Sequence, residues 1–202
     1  MQFNKVTMKQ KLINLQTSSY EHPFDKAALE KVNAIPMLPK IVNFVMNWTV
    51  IKWKIVSMCG SNFHVTKGAC PDLAELSNEV FDILDLDRHP ELYMEQDYYI
   101  NAYTTGHQKD AFIVLSTGSV DRLDDGELQF VIGHEAGHIK SNHVLYHLMT
   151  AYLAQIVSAI PGASTVSLPL QTALWYWNRM SEFTADRAGL LACQDLNAAL
   201  SA

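Results

Sequence analysis

Three residues of segment 133–139 have the types and the spacing needed for metal-assisted hydrolysis. His134 and His138 lie four positions apart, so on an α-helix both imidazoles project from one face, one turn apart. Two nitrogen ligands in this arrangement suit a single zinc ion. Glu135 follows the first histidine, where its carboxylate can reach a zinc-activated water and act as general base. The alternative is two hydrogen-bonded histidines on a half-buried helix beside a surface glutamate.

A catalytic zinc ion also needs a third protein ligand and an open fourth position. Glu182 and Asp186, in the last predicted helix, are again four positions apart and share a face. Glu182 can complete a His, His, Glu ligand set, while Asp186 can accept a hydrogen bond from a ligand histidine and fix its orientation. The alternative is a charged helix face on which these carboxylates pair with Arg179 or Arg187.

Two positions after the histidine pair limit the other choices of third ligand. Val144 stands six residues after His138, where a site of the metzincin type requires a histidine, and Ser141 replaces the accompanying glycine. His143 lies five residues beyond His138, which is about 140° around an α-helix. It cannot share the ligand face unless the helix breaks, so we expect a nearby polar residue, with a ligand role as the alternative.

Hydrophobic periodicity and turn-forming residues predict the elements that position these side chains. The predicted helices are 24–33, 40–56, 72–84, 125–140, 143–159 and 167–193, and the predicted strands are 62–66, 91–96, 98–104 and 111–116. Asp124 and Asp125 stand where aspartate caps free amide groups at a helix start. Strands that precede a run of helices predict a mainly helical α+β domain with a small antiparallel sheet before the helix of His134.

Four ordered segments resemble those of the HtpX-like zinc metallopeptidases, metallopeptidase family 48, which also holds the CAAX prenyl endoproteases. Residues 130–139 (FVIGHEAGHI) and 179–189 (RMSEFTADRAG) resemble the two zinc-binding segments of that family. Residues 101–106 (NAYTTG) and 112–118 (FIVLSTG) resemble the sheet segments that precede the zinc helix. The resemblance extends from about residue 60 to residue 193 and implies a zincin-type fold.

The resemblance implies a gluzincin-type endopeptidase that acts on polypeptide substrates. His134, His138 and Glu182 would bind one zinc ion per chain, Glu135 would be the general base, and Asp186 would support a ligand histidine.

The same resemblance places Asn101 and Ala102 on the edge strand along which such enzymes pair an extended substrate. An exposed strand offers main-chain hydrogen bonds that do not depend on the substrate's sequence. For Asn101 the alternative is a turn residue.

Four side chains are candidates for the group that stabilises the oxyanion: His107, His143, Tyr176 and Arg179. The sequence also leaves an alternative function, a zinc-stabilised chaperone-like or membrane-surface adaptor module with a weak or latent active site. The intact Glu135 argues against the adaptor, because a purely structural zinc site has no need of that carboxylate.

Composition limits the class of protein. The chain has 202 residues, of which 49% are hydrophobic and 18% charged, enough to form a buried core. A formal charge of −6 argues against a nucleic-acid partner, since such proteins usually carry a basic surplus. Three cysteines without a Cys-x-x-Cys pair and no signal-like start predict a cytoplasmic protein.

The charge is unevenly distributed along the chain. Residues 1–70 carry a net +6 and residues 71–202 a net −12, so we predict a basic, mostly helical arm over 1–58 and a metallopeptidase domain over 59–202. Segment 40–56 places apolar side chains on one helical stripe, with Trp48 and Trp53 beside lysines. Packing against the core and peripheral contact with a membrane surface are the two interpretations.

The chain differs from HtpX in two respects. HtpX is an integral membrane protein, whereas no apolar run here reaches the length of a membrane-spanning helix, which suggests the soluble branch of the family. The sequence also stops at Ala202, soon after the third-ligand helix, where relatives usually continue, so we expect a shortened or minimal member.

Overall fold

The computed structural model describes residues 9–47, 49–106 and 110–202. Its helices are α1 (Pro23–Asn33), α2 (Leu38–Asn47), α3 (Thr49–Ser61), α4 (Pro71–Ile83), α5 (Thr117–Arg122), α6 (Asp125–Lys140), α7 (Val144–Ala151), α8 (Leu153–Ala159), α9 (Ser167–Cys193) and α10 (Leu196–Ser201). Its strands are β1 (Phe63–His64), β2 (Glu91–Glu95), β3 (Ala102–Thr105) and β4 (Phe112–Ser116). The predicted mainly helical α+β class is confirmed.

The described strands form one mixed sheet in the order β1-β2-β4-β3. The sequence predicted an antiparallel sheet, but β2 and β4 run parallel, while β1 with β2 and β3 with β4 are antiparallel. β4 lies between β2 and β3, and all five of its residues are buried, as expected for a central strand. Within the described part of the chain, β3 is therefore an edge strand.

The predicted strand over 98–104 is too long at its start, since β3 begins only at Ala102. In the loop before β3, hydrogen bonds with Ser116 and Ser119, at the start of α5, take the place of hydrogen bonds to a neighbouring strand. The Ser116 hydroxyl donates to the Tyr99 carbonyl at 2.7 Å, and the Asn101 amide lies 2.9 Å from the Ser119 hydroxyl. These bonds satisfy the loop backbone without a neighbouring strand.

Helix α6 has the predicted bounds 125–140 and begins with a capping box. The Asp124 carboxylate accepts from the Glu127 amide at 2.9 Å, and the Glu127 carboxylate accepts from the Asp124 amide at 2.9 Å. Two of the amides left unpaired at a helix start are thereby satisfied. The cap fixes where the helix starts and so which residues face α9.

Helices α6 and α9 pack at very short range because small residues line their contact. A Cβ atom added at Gly133 would lie 2.4 Å from the Cβ of Ala192, and one added at Gly137 would lie 2.5 Å from the Cβ of Ala188. Neither distance is possible between real carbon atoms. The glycines therefore set the separation of the two helices.

Two apolar clusters share α9. One lies between the sheet, α4, α6 and the second half of α9, and it includes Phe81, Ile113 and Ile132. The other joins α1, α2, α7, α8 and the first half of α9, and it includes Ile41 and Trp177. Residues 134–138 and 182–186 lie where the two clusters meet.

Residues 20–45 are packed against the rest of the protein. Val32 of α1 and Ile41 and Val45 of α2 are buried in the second cluster. The predicted helix 40–56 is two helices, α2 and α3, and Trp48 lies outside the described residues. Core packing of the first half of this segment is confirmed; the division at residue 58 stays a prediction.

Among residues 9–47, 49–106 and 110–202, no helix combines the length and the apolar character that crossing a bilayer requires. The predicted helix 143–159 is likewise two helices, α7 and α8, each too short to span.

We expect Gly133→Ala to lower the free energy of unfolding by about 1–3 kcal/mol, since the added methyl group forces α6 and α9 apart. The matched control is Gly60→Ala in α3, where an added Cβ meets nothing within 4 Å. Its expected effect is neutral or stabilising by about 1 kcal/mol from helix propensity alone. Urea unfolding of both variants measures the difference, and equal effects would contradict the packing argument.

Candidate metal centre

His134, His138 and Glu182 converge at the α6–α9 contact. Nε2 of His134 and Nε2 of His138 are 3.2 Å apart, and Oε2 of Glu182 lies 3.2 Å from the former and 3.7 Å from the latter. The predicted geometry of an i, i+4 histidine pair facing a carboxylate on a second helix is thus present in the structure. These three residues form a group able to hold a metal ion.

The spacing of the three ligand atoms fits a tetrahedral zinc ion. Zinc bonds of about 2.0–2.2 Å in tetrahedral geometry separate neighbouring ligand atoms by roughly 3.3–3.6 Å. The separations between the two histidine nitrogens and the Glu182 oxygen are 3.2, 3.2 and 3.7 Å. A nitrogen, nitrogen, oxygen donor set is also one that zinc commonly takes in hydrolytic sites. The residues present therefore fit the ion.

Asp186 lies behind the first histidine, as predicted for a supporting residue. Its Oδ1 is 3.0 Å from Nδ1 of His134, which orients the imidazole so that Nε2 faces Glu182. The alternative pairing with Arg187 is not formed, because the Arg187 guanidinium donates to the carbonyls of Tyr20 and Glu21.

The carboxylates favour positive charge where the histidine nitrogens meet. Burial lowers the pKa of His134, but hydrogen bonds to Asp186 and Glu182 outweigh it and raise the pKa to about 10. Burial raises the pKa of Glu182, yet its bonds to His134 and His138 hold that pKa well below its usual range. A divalent cation requires the same electrostatic environment.

Glu135 is buried and held by the edge strand. The Thr104 hydroxyl lies 2.7 Å from Oε2 of Glu135 and 3.1 Å from the Glu135 backbone carbonyl. This contact joins β3 to α6 and fixes the carboxylate next to the ligand group. Thr104 was not predicted, although its sequence position gives a signal: it is two residues after Ala102 and so on the same face of the strand.

The open space at the ligand group is a cleft of about 220 Å³. Its lining includes Glu135 and the three ligand candidates, the edge-strand residues 102–104, and Val144 and His147. Ala102 is thus at the cleft. Asn101 is exposed, precedes β3, and has its backbone fixed by Ser116 and Ser119.

A second cavity, of about 210 Å³, continues the cleft. It shares Tyr103, Thr104, Val144 and His147 with the cleft and is walled on its far side mainly by apolar side chains of α3, α7 and the turn after α7: Ile55, Met58, Leu148, Ala151 and Tyr152. The two cavities together follow β3 from Ala102 to Thr105.

His143 lies behind the second ligand histidine because α6 does break. The helix ends at Lys140, and Asn142 adopts φ 57°, a left-handed conformation that asparagine tolerates. This turn brings Nδ1 of His143 to 3.0 Å from Nδ1 of His138. The predicted nearby polar residue is therefore in direct contact with a ligand candidate.

Asp25 of α1 meets the far side of the His143 ring. Its Oδ2 lies 3.1 Å from Nε2 of His143 and accepts from the Thr184 hydroxyl at 2.6 Å. Burial raises the pKa of Asp25, but the bonds to His143 and Thr184 lower it overall, so the carboxyl is ionised. No sequence pattern indicates this contact, because Asp25 and Thr184 are 159 positions apart.

His147 stands one turn after His143, next to the cleft. Burial, and then the charges of His138 and His143, lower its pKa to about 3, so it is neutral. His138, His143 and His147 form a second group whose ligand atoms lie within 4.8 Å of one another. It uses the same His138, and Asp25 already binds one nitrogen of His143, so the group with Glu182 is the more available of the two.

The three oxyanion candidates that the structure describes, His143, Tyr176 and Arg179, are not among the residues that line the cleft. Tyr176 and Arg179 are exposed on α9, with Lys31 above the Tyr176 ring, and His143 is buried behind His138. His107 lies outside the described residues.

The sequence profile of peptidase family M48 matches residues 70–202, which include both ligand-bearing helices and the sheet strands β2 to β4. The chain belongs to this family. The resemblance to HtpX-like metallopeptidases found in the sequence is thereby confirmed.

The chain is similar to plastoglobule-localized metallopeptidase 48 of Arabidopsis thaliana, with 32% identity over 184 residues that cover 90% of this chain and 53% of the relative. It is similar to a protease HtpX homolog of Helicobacter acinonychis, with 30% identity over 87 residues, 43% of this chain and 28% of the relative. A protease HtpX homolog of Bacteroides fragilis is 24% identical over 144 residues, 68% of this chain and 44% of the relative.

The chain thus spans about half the length of these curated relatives, or less. No solved structure matches the chain.

Proposed function

We propose that the protein is a zinc-dependent endopeptidase, with His134, His138 and Glu182 as the ligands of one zinc ion. The observation that carries the proposal is the convergence of these three donors at tetrahedral separations, beside a buried Glu135 in a cleft next to an edge strand. Membership of a peptidase family and relatives named as proteases support the reaction class.

Glu135 is the proposed general base. A zinc ion at this site supplies Lewis-acid chemistry: it lowers the pKa of a water molecule and polarises the scissile carbonyl. Glu135 takes a proton from the attacking water and delivers it to the leaving amine. The bond from Thr104 holds one carboxylate oxygen in place and leaves the other oxygen to act. Asp186 keeps the His134 ring in the ligand tautomer.

The proposed substrates are polypeptides in extended conformation. Among the described strands, β3 pairs on one side only, and Ala102 to Thr104 line the cleft, so a substrate strand paired on the other side would carry a peptide bond past Glu135. Ala102 would contribute main-chain hydrogen bonds, and Asn101 would fix the start of the strand.

We expect Glu135→Gln to abolish hydrolysis of casein while one zinc ion per chain remains bound, because the amide cannot take a proton. Glu75→Gln, a surface change on α4, is the matched control and should retain full activity.

Glu182→Ala should lower zinc occupancy as well as activity. Mass spectrometry of cleavage products and metal analysis of the purified proteins provide the two measurements.

Hydrolysis by Glu135→Gln at the wild-type rate would refute the assignment of the base, and full zinc occupancy in Glu182→Ala would refute the third ligand. Stoichiometric zinc without hydrolysis by the wild-type protein would overturn the endopeptidase proposal and favour the chaperone-like adaptor.

The apolar cavity that continues the cleft indicates where selectivity arises. Its position beside residues 103–105 suits an apolar substrate side chain near the scissile bond. Ala151→Phe, at the exposed rim, should fill the cavity. For peptides with leucine or phenylalanine at the position that enters this cavity, kcat/KM should fall by about tenfold or more. Peptides with alanine there should be little affected. Ala154→Phe on α8 is the control, and equal losses in both variants or with both peptides would contradict this role.

A second proposed property is peripheral contact with a membrane surface through α3, which holds the second half of segment 40–56. Trp53 and Val56 of α3 are 69% and 62% exposed, and Lys52 is beside them. The name of the Arabidopsis relative places that protein at plastoglobules. An exposed tryptophan next to lysine is suited to an anionic lipid interface. On this basis we propose a cytoplasmic protein with a membrane-associated fraction.

Vesicle flotation tests the membrane contact. We expect the protein to float with vesicles that contain phosphatidylserine, and Trp53→Ser with Val56→Ser to reduce the bound fraction severalfold, because the apolar contact is lost. Leu200→Ser, which removes an equally exposed apolar side chain from α10, should leave binding unchanged. Equal flotation of all three proteins, or none by the wild type, would refute the contact.

A further inference from the structure

One hydrogen-bonded path connects the proposed zinc ligand His138 to the N-terminal part of the chain. It runs from Nδ1 of His138 to Nδ1 of His143 at 3.0 Å, and from Nε2 of His143 to Oδ2 of Asp25 at 3.1 Å. His138, His143 and Asp25 are all buried. Asp25 lies outside residues 70–202, the part matched by the family profile.

We propose that Asp25 is a positioning residue of the metal centre, which acts through His143 on His138. The inference rests on the proposed zinc site.

The path has one consistent arrangement of protons when His138 is a ligand. Its Nε2 faces His134 and Glu182 and must offer a lone pair, so its proton is on Nδ1. Nδ1 of His143 must then accept that proton's hydrogen bond, which places the proton of His143 on Nε2. That N–H donates to the Asp25 carboxylate. Each of the three groups thereby fixes the tautomer of the next, and the carboxylate makes His138 a stronger electron-pair donor.

Asp25 also contacts the helix of the third ligand. Its Oδ2 accepts from the hydroxyl of Thr184, two residues after Glu182 in α9. One carboxylate oxygen therefore accepts hydrogen bonds from two parts of the site, His143 in the turn after α6 and Thr184 in α9. This arrangement fixes the position of His138 relative to Glu182.

The cost of burying Asp25 argues against a role in packing alone. The residue is 1% exposed, and the indole of Trp177 is among the groups that stabilise its charge. Burying a carboxylate is costly even when its oxygens have polar neighbours, and an apolar residue in its place would serve α1 packing better. Ala28 and Val32 already supply apolar contacts between α1 and the second cluster. The charge of Asp25 is thus explained by what it does to His143.

The test measures zinc affinity by competition with a chelator, together with the absorption spectrum of the cobalt-substituted protein. Asp25→Asn keeps the size of the side chain and removes the charge, and we expect the zinc dissociation constant to rise by about 10–100-fold. The cobalt d–d bands should shift in position or intensity, because they report ligand geometry rather than stability. Val32→Ala is the control, since it weakens α1 packing without touching the path.

A double variant tests whether the two residues act in series. If they do, Asp25→Asn should add little to the loss already caused by His143→Asn, because the path is then broken. Circular dichroism establishes that each variant is folded. Should Asp25→Asn not fold, His143→Asn alone decides: a wild-type zinc dissociation constant in that variant would overturn the inference.

The outcomes separate this inference from the proposed function. Failure of the wild-type protein to bind one zinc ion would refute the proposed metal site itself. Wild-type binding with an unchanged dissociation constant and cobalt spectrum in Asp25→Asn would overturn the role of Asp25. Equal losses in Asp25→Asn and Val32→Ala would also overturn it, since α1 packing would then be the cause.

Discussion

The close contact of α6 with α9 is the constraint on which the site depends. Side chains of two adjacent helices normally hold their axes 8–10 Å apart. Glycine at positions 133 and 137, facing alanine at 192 and 188, removes the Cβ atoms that would collide there. At this short range one carboxylate on α9 lies within 3.7 Å of the ring nitrogens of both histidines on α6. The backbone contact thus sets the ligand separations before any metal ion binds.

The polar groups of the site lie at the junction of two apolar clusters, and each is held by a neighbour from a different element. Asp186 orients His134 from α9, Thr104 holds Glu135 from the sheet edge, and His143 contacts His138 from the turn after α6. The contact between His138 and His143 is buried, so this bond is stronger than it would be in water. The positions of the side chains at the site are therefore set by several elements together and not by α6 alone.

The sequence predicted the bounds of α6 and α9 and the faces that their polar side chains share, because both depend on local rules. Helix α6 begins at a capping box and α9 is a long segment of periodic hydrophobicity, so their bounds agree with the structure. The i, i+4 spacing in each places two functional groups on one face. The mixed sheet was missed, because the central position of β4 follows from its burial on both faces, which is a property of the whole fold. The contact of Asp25 was missed for a similar reason, because Asp25 and Thr184 are 159 positions apart and meet only in the folded chain.

The path from His138 to Asp25 connects metal binding with the docking of α1. Linkage is reciprocal: if the docked helix strengthens the bond of His138 to zinc, then zinc must stabilise the docked helix by the same free energy. The contacts that hold α1 include the apolar contacts of Val32, the hydrogen bond from the Tyr146 hydroxyl to Asn33 and the charged contact of Asp25. Of these three, the contact of Asp25 is the one that depends on the tautomer of His143, and hence on whether His138 is a ligand. If Asp25 has the proposed role, the N-terminal segment is therefore coupled thermodynamically to the metal centre, although the family profile begins at residue 70.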